Sequence, residues 1–295
     1  MEDEVLKKYR KAGKIAGEAR DYGLSLIKEG VELLYVAEEV EKFIIKKGAK
    51  PAFPTNIAID DTAAHFTPRH DDHSIFKHGM VVKLDVGAHV DGYIGDTAAT
   101  VEVGTDFHTE LLQASKEALE TAINLVEPEV PIDIIGGAIQ ETIEDYGFHP
   151  ISNLTGHGLK RYNLHAGKTI PNVGRESNGK LKVDDVVAIE PFATNGLGKV
   201  KESLPGNIYR IGKFRKSRSW KLIMKLQESY RTLPFAERWL YKEHHIPLFN
   251  HTLKKLVSQN LLVSYFVFTE IKNGLVSQFE QTILVTDDGC EILTK

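Results

Sequence analysis

The chain has 295 residues, 42% hydrophobic and 26% charged, with a formal net charge of -4. That is enough apolar content for a sizeable core, with no charge excess that calls for a polyanionic partner. The single cysteine, Cys290, excludes an internal disulfide and a cysteine-built zinc site; it fits a reducing compartment, so a cytoplasmic protein is expected.

The acidic start Met1-Glu2-Asp3-Glu4 is unlike a signal peptide. No apolar run approaches the roughly 18 residues of a membrane span. The first amphipathic pattern predicts a helix over 3–28. Residues 31–51 carry a second helical pattern that stops on Gly48 and Pro51, because glycine takes the left-handed cap and proline cannot continue the helix. Asp60-Asp61 reads as a turn. The run 76–85 reads as a strand ending on Asp85. Asp91-Gly92 between apolar runs then signals a two-residue hairpin. With that loop Val90 faces Tyr93 and Asp85 faces Ala98. Asp96, two residues from Ala98, then shares the face of Asp85, with diagonal neighbours about 7–8 Å apart. A longer loop would undo this parity.

A further helix is predicted over 107–127. Residues 130–150 then repeat 31–51 at a shift of 99, with Gly147 and Pro150 in the matching places. The run 181–190 repeats 76–85 at a shift of 105, which sets Glu190 against Asp85. Amphipathic helices always look somewhat alike, but the repeated glycine, proline and acid-ended strand favour an internal duplication. Two helix–helix–strand units would form one pseudo-symmetric α+β domain. Gly196-Leu197-Gly198 reads as a loop. Residues 199–231 hold ten Lys/Arg and two Glu, a net of +8, which leaves 27 basic and 39 acidic residues, or -12, elsewhere. A solvated face is the simpler reading of that segment; docking to ribosomal RNA is the functional one. The last strand-like run, 276–285, carries Glu280.

Asp85, Asp96, His157, Glu190 and Glu280 thus lie at or beside apolar strand runs. Carboxylates there are costly to desolvate without a positive partner. A pair of divalent ions is the simplest partner, and two carboxylates on one hairpin face can converge on ions about 3.5–4 Å apart. A metal-dependent hydrolase is expected. His70, His73, His78, His89, His108, His149, His244, His245 and His251 show no such pattern and are assigned to surface or packing.

Leu84-Asp85-Val86-Gly87, Asp91-Gly92-Tyr93-Ile94-Gly95-Asp96, Asn153-Leu154-Thr155-Gly156-His157, Leu164-His165-Ala166-Gly167, Ile189-Glu190-Pro191-Phe192 and Gln278-Phe279-Glu280 resemble the type II methionine aminopeptidases, in the right order and over nearly the whole chain. The resemblance implies the pita-bread (creatinase/aminopeptidase) fold with an internal pseudo-two-fold. It implies one catalytic domain, 1–295, carrying a helical, winged-helix-like insertion over 195–271, with helices near 218–260. A charged N-terminal extension is lacking, as in the archaeal form. Asp85 would chelate one metal ion, Asp96 and Glu280 would bridge two, and His157 and Glu190 would complete the other shell. The ions would be Co, Mn, Fe(II) or Zn, and water activated between them would attack the first peptide bond. Glu190 would shuttle the proton. His65 and His165 would sit beside the scissile amide and carbonyl, and Phe53 and Tyr265 would wall the methionine pocket. The implied substrates are nascent polypeptides with N-terminal methionine and a small second residue, and a monomer is expected. One departure is Gln281, where members usually carry histidine. Two rivals stand beside this reading. A non-catalytic pita-bread relative binding ribosome or RNA would lack ligands that are all present here. A prolidase-like dipeptidase shares the ligand set but usually carries a separate N-terminal domain, for which 295 residues leave no room.

Overall fold

The computed structural model describes residues 1–174, 179–213, 219–243, 246 and 248–295; Arg215, Lys216 and Arg218 of the basic segment, with His244 and His245, lie outside them. The first unit comprises α1 (Asp3–Leu26), α2 (Leu33–Lys46), β1 (Lys50–Pro51), β2 (Asn56–Ile59), β3 (Thr62–Ala64), β4 (Val81–Val90) and β5 (Tyr93–Glu102). The second comprises α3 (Thr109–Asn124), α4 (Ile132–Asp145), β6 (His149–Pro150), β7 (Thr155–Gly158), β8 (Thr169–Pro171), β9 (Val186–Ile189) and β10 (Phe192–Thr194). Then follow β11 (Val200–Ile211), α5 (Trp220–Tyr230), β12 (Phe235–Ala236), α6 (Glu237–Glu243), α7 (Phe249–Ser258) and β13 (Leu262–Glu270). The chain returns through β14 (Val276–Gln278), β15 (Gln281–Thr286) and β16 (Gly289–Ile292).

The four predicted helices form where apolar residues recur at helical spacing. α2 buries Val36, Ala37, Val40 and Ile44; α4 buries Ile132, Ile135, Ile139 and Ile143. Each stops at its predicted glycine, Gly48 at φ +81° and Gly147 at φ +78°. The helices of each unit cover their own core, one around Val40, Ile44, Leu84 and Val86, the other around Ile135, Ile139, Val187 and Ile283.

Strand register tests the duplication directly. β2 pairs β4 through Ala58↔Lys83 and Ile59↔Val82. Shifts of 99 and 105 convert these into His157↔Ala188 and Gly158↔Val187, the pairs that join β7 to β9. The same shifts carry Lys50↔His89 and Pro51↔Ala88 onto His149↔Thr194 and Pro150↔Ala193, also observed. The two units therefore share one strand pairing scheme. They meet where Ala98 and Glu280 exchange backbone hydrogen bonds. On one side of this bridge the Thr100 hydroxyl accepts from Gln278 N–H and donates to Gln278 C=O; on the other, Thr282 does the same to Asp96. The pseudo-axis thus passes between Ala98 and Glu280 and puts Gln278 where the other unit has Asp96.

β11 and β13 pair along most of their length in a sheet ordered β12-β11-β13-β3. Ile223, Leu226, Phe235, Leu240, Leu253 and Leu256 give α5, α6 and α7 a core of their own against it. No helix among the described residues is long and apolar enough to cross a membrane.

Candidate metal centre

One cleft at the pseudo-axis is lined by Asp85, Asp96, His157, Glu190 and Glu280. The hairpin has the predicted register, Val90↔Tyr93 and Asp85↔Ala98, so Asp85 and Asp96 share a face. Glu190 and Glu280 occupy breaks, one between β9 and β10, the other between β14 and β15. The registers flanking the breaks, Ile189↔Gln281 and Phe192↔Gln278, set these two acids opposite each other. Like charges face to face across strands destabilise the pair unless something neutralises them. His157, on β7, brings its Nε2 to 3.8 Å from Asp96 Oδ2 and 3.6 Å from Glu190 Oε1. One ligand atom each from Asp96, His157 and Glu280 lie within 4.8 Å of one another.

Electrostatics point the same way. Burial, before any other cause, holds the Asp85 carboxyl up at about 7. Burial first, then the charges of the neighbouring acids, holds Asp96, Glu190 and Glu280 well above the usual carboxylate range. Burial pushes the His157 imidazole down to about 3, so its ring is neutral. Four crowded carboxylates and a neutral imidazole are the donor set of a divalent transition-metal site, not of an ion pair. The buried Asp85 Oδ1 has no hydrogen-bond partner, as expected of an oxygen reserved for a cation. The residues present therefore fit the implied metal.

Around this centre lie the other residues singled out in the sequence. His65 sits at φ +63°, a left-handed backbone uncommon for a residue with a side chain. Its Nδ1 lies 3.2 Å from the Phe266 carbonyl, which can only accept, so the ring carries its proton there and leaves Nε2 as an acceptor. Burial lowers it to about 4. The His165 ring lies 4.4 Å from that of His157, centre to centre. Phe53 and Tyr265 both line the cleft, and the Phe53 ring lies so close over β4 that a Cβ at Gly87 would stand 2.2 Å from it. All nine site residues read from the sequence are brought to one cleft.

Several residues carried no assigned role: Leu164, Ile208 and Pro234 complete the apolar wall, Asn56 lines the cleft beside Asp85, and Gln278, behind the lining, holds two of the acids. Asn56 donates to Asp85 Oδ2 at 3.4 Å. Gln278 Nε2 lies 3.4 Å from Glu190 Oε2 and 3.3 Å from Glu280 Oε2. Strand alternation from Glu280 was the available signal for Gln278. His70, assigned to packing, stacks on Tyr241 and also meets the buried Glu237 at 2.6 Å, a pairing its sequence context did not show.

Comparisons with known proteins agree with this geometry. The model of metallopeptidase family M24 matches residues 7–287. The chain is 49% identical over 298 residues to a methionine aminopeptidase of Archaeoglobus fulgidus, and 47% identical over 298 residues to one of Methanocaldococcus jannaschii; each match covers 100% of both chains. The crystal structure of a methionine aminopeptidase from Thermotoga maritima superposes with a TM-score of 0.75 at 27% identity, covering 100% of this chain and 98% of that one. The pseudo-two-fold architecture is the pita-bread fold.

Proposed function

We propose, from the premise that this chain belongs to metallopeptidase family M24, that it removes the initiator methionine from nascent polypeptides whose second residue is small. The convergence of Asp85, Asp96, His157, Glu190 and Glu280 carries this reading, with two divalent ions as their ligand. Asp85 would hold one ion, Asp96 and Glu280 would serve both, and His157 and Glu190 would complete the ligands of the other. Bound there, divalent ions would supply Lewis-acid polarisation and an acidified water as nucleophile.

The protein's own groups do the rest. Glu190 lines the cleft and has Gln278 as a hydrogen-bond donor, so its carboxylate can take a proton from the attacking water and pass it to the leaving amine. His165 is placed to donate to the carbonyl oxygen as charge develops on it. His65, its Nδ1 proton committed to Phe266, offers Nε2 to the scissile amide N–H. Phe53, Tyr265, Ile208 and Pro234 enclose an apolar side chain; burying a methionine there contributes about 1.5–3 kcal/mol. We read residues 195–271 as one insertion in the catalytic domain, supplying Ile208, Pro234 and Tyr265 to that wall.

The test is hydrolysis of Met-Ala-Ser and Gly-Pro, each with and without chelator. Met-Ala-Ser should be cut and Gly-Pro spared, with all turnover lost to chelator. Cleavage of Gly-Pro alone would make the protein a prolidase, and no cleavage with metal supplied would make it a non-catalytic relative. A second measurement concerns Gln278. Gln278→Ala frees Glu190 and Glu280 from their shared donor, so affinity for Mn or Co, read by calorimetry, should fall about 10–100-fold with the fold retained.

A further inference from the structure

A second hollow, of about 360 Å3, is lined by Arg210, Ile211, Gly212, Gln227, Arg231 and Thr232. It lies one step outward from the methionine pocket along two separate segments. On β11 the buried Ile208 lines the pocket, and Arg210, two residues on and on the same strand face, is exposed in the hollow. After α5, Pro234 lines the pocket and Thr232 the hollow. Arg210 stands close enough to His165 and Tyr265 for its charge to act on both.

The hollow holds two arginines and no acid. Neither arginine has an ion-pair partner among the described residues. Arg231 is also held in an unusual backbone, φ 57° and ψ -114°, at the C-terminal end of α5. Glycine takes positive φ without penalty; an arginine there is strained. A strained cation that lines the same hollow as a second unpaired cation, beside a catalytic cleft, calls for an anion there. Two guanidinium forks lining one hollow suit a carboxylate. A phosphate backbone would need a longer cationic track than these two residues provide.

We propose that this hollow binds an acidic side chain of the substrate polypeptide, a few residues beyond the bond that is cut. The proposal rests on the aminopeptidase reading above. Two residues along a strand span roughly 6.5 Å, which sets the acid at about the third to fifth residue of the substrate. Both arginines are solvated, so the gain is modest, about three- to tenfold for the pair together, and it is screened by salt.

The experiment compares kcat/KM for Met-Ala-Asp-Ala-Ala, Met-Ala-Ala-Asp-Ala and Met-Ala-Ala-Ala-Asp, C-terminally amidated, with their Asn counterparts. The metal-loaded wild-type enzyme should favour Asp about three- to tenfold at low salt and lose most of that preference at high salt. Arg210→Glu should invert the preference. Arg231→Gly should reduce it while holding or raising the melting temperature, because glycine relieves the backbone strain; Arg231→Lys should keep part of it. An Asp/Asn ratio near one in the wild type, or one unchanged in both Arg210→Glu and Arg231→Gly, overturns the proposal. So does a loss of low-salt binding to a ribosomal RNA fragment in these variants with the peptide ratio intact, which would give the hollow to nucleic acid. If the Asn peptides themselves are not cut with metal supplied, the aminopeptidase reading has failed instead.

Discussion

Glu280→Gln and Asp96→Asn are expected to lower kcat/KM on Met-Ala-Ser by at least about 10³-fold while raising the melting temperature of the chelated protein. The loss in rate follows from removing a carboxylate that the proposed site uses twice, as bridge and as counter-charge; several kcal/mol of charge stabilisation depends on it. The gain in stability comes from the same atoms. Without a cation, burial and then the charges of neighbouring acids raise these carboxyls, with Asp96 and Glu190 both acting on Glu280, and Glu280 stands opposite Glu190 across the broken strands. An amide keeps the shape and cancels one charge. Relief of about 1 kcal/mol corresponds to about 2–4 °C in a chain approaching this size. Neither change disturbs the backbone clasp, since Asp96 N–H and C=O are held by Thr282 and the Glu280 backbone by Ala98. Peptide turnover with metal supplied, and melts with chelator, read the two effects separately. Turnover at the wild-type level in either variant would sink the assignment of the ligand set.

That two-sided effect depends on features of unequal legibility. The hairpin parity was readable because an Asp91-Gly92 turn admits one register, and that register fixes which side of β5 Asp96 occupies. The duplication was readable because Gly48 and Gly147 must both reach a left-handed backbone, and the two shifts carry the pairs Ala58↔Lys83 and Ile59↔Val82 onto pairs of the second unit. The long β11–β13 pair was not. Its first strand, Val200–Ile211, has an exposed run from Lys201 to Pro205, carries Pro205 and Gly206, and the pairing slips on both sides of Pro205. Its partners are set by packing against α5–α7, which no local pattern encodes. Asn56 was hidden for another reason. It is one polar residue in a short apolar strand, and only the pairing Asn56↔Asp85 reveals that it faces the acid. Gln278 takes its meaning from the pseudo-axis, which equates it with Asp96. In each case a residue's chemistry was visible and its neighbour across the fold was not.

Stripping divalent ions is expected to abolish activity, and the rise in melting temperature on restoring Mn or Co is expected to be larger at pH 8.5 than at pH 6.5. In the metal-free protein Asp85 is raised from 3.8 to about 7, and Asp96, Glu190 and Glu280 are raised well above the usual carboxylate range. The folded form therefore holds protons that the unfolded chain has released. The stability linked to Asp85 is complete below about pH 4 and is lost as pH rises through about 7, and the other three raised acids act in the same sense. His157 and His65, lowered from 6.5 to about 3 and about 4, act in the opposite sense, but only below their unfolded value of 6.5. Lys83, lowered by burial from 10.5 to about 7, opposes the acids above pH 7. Its amine is spent on the Asp60 carbonyl with or without metal, so its effect cancels when the two forms are compared at one pH. What remains in the difference is the proton release that metal binding demands of the ligands, which costs less as pH rises. Melts at pH 6.5, 7.5 and 8.5, chelated and metal-loaded, give that difference. A metal-induced shift equal at all three values would mean that these acids do not hold protons in common and that the ion binds elsewhere.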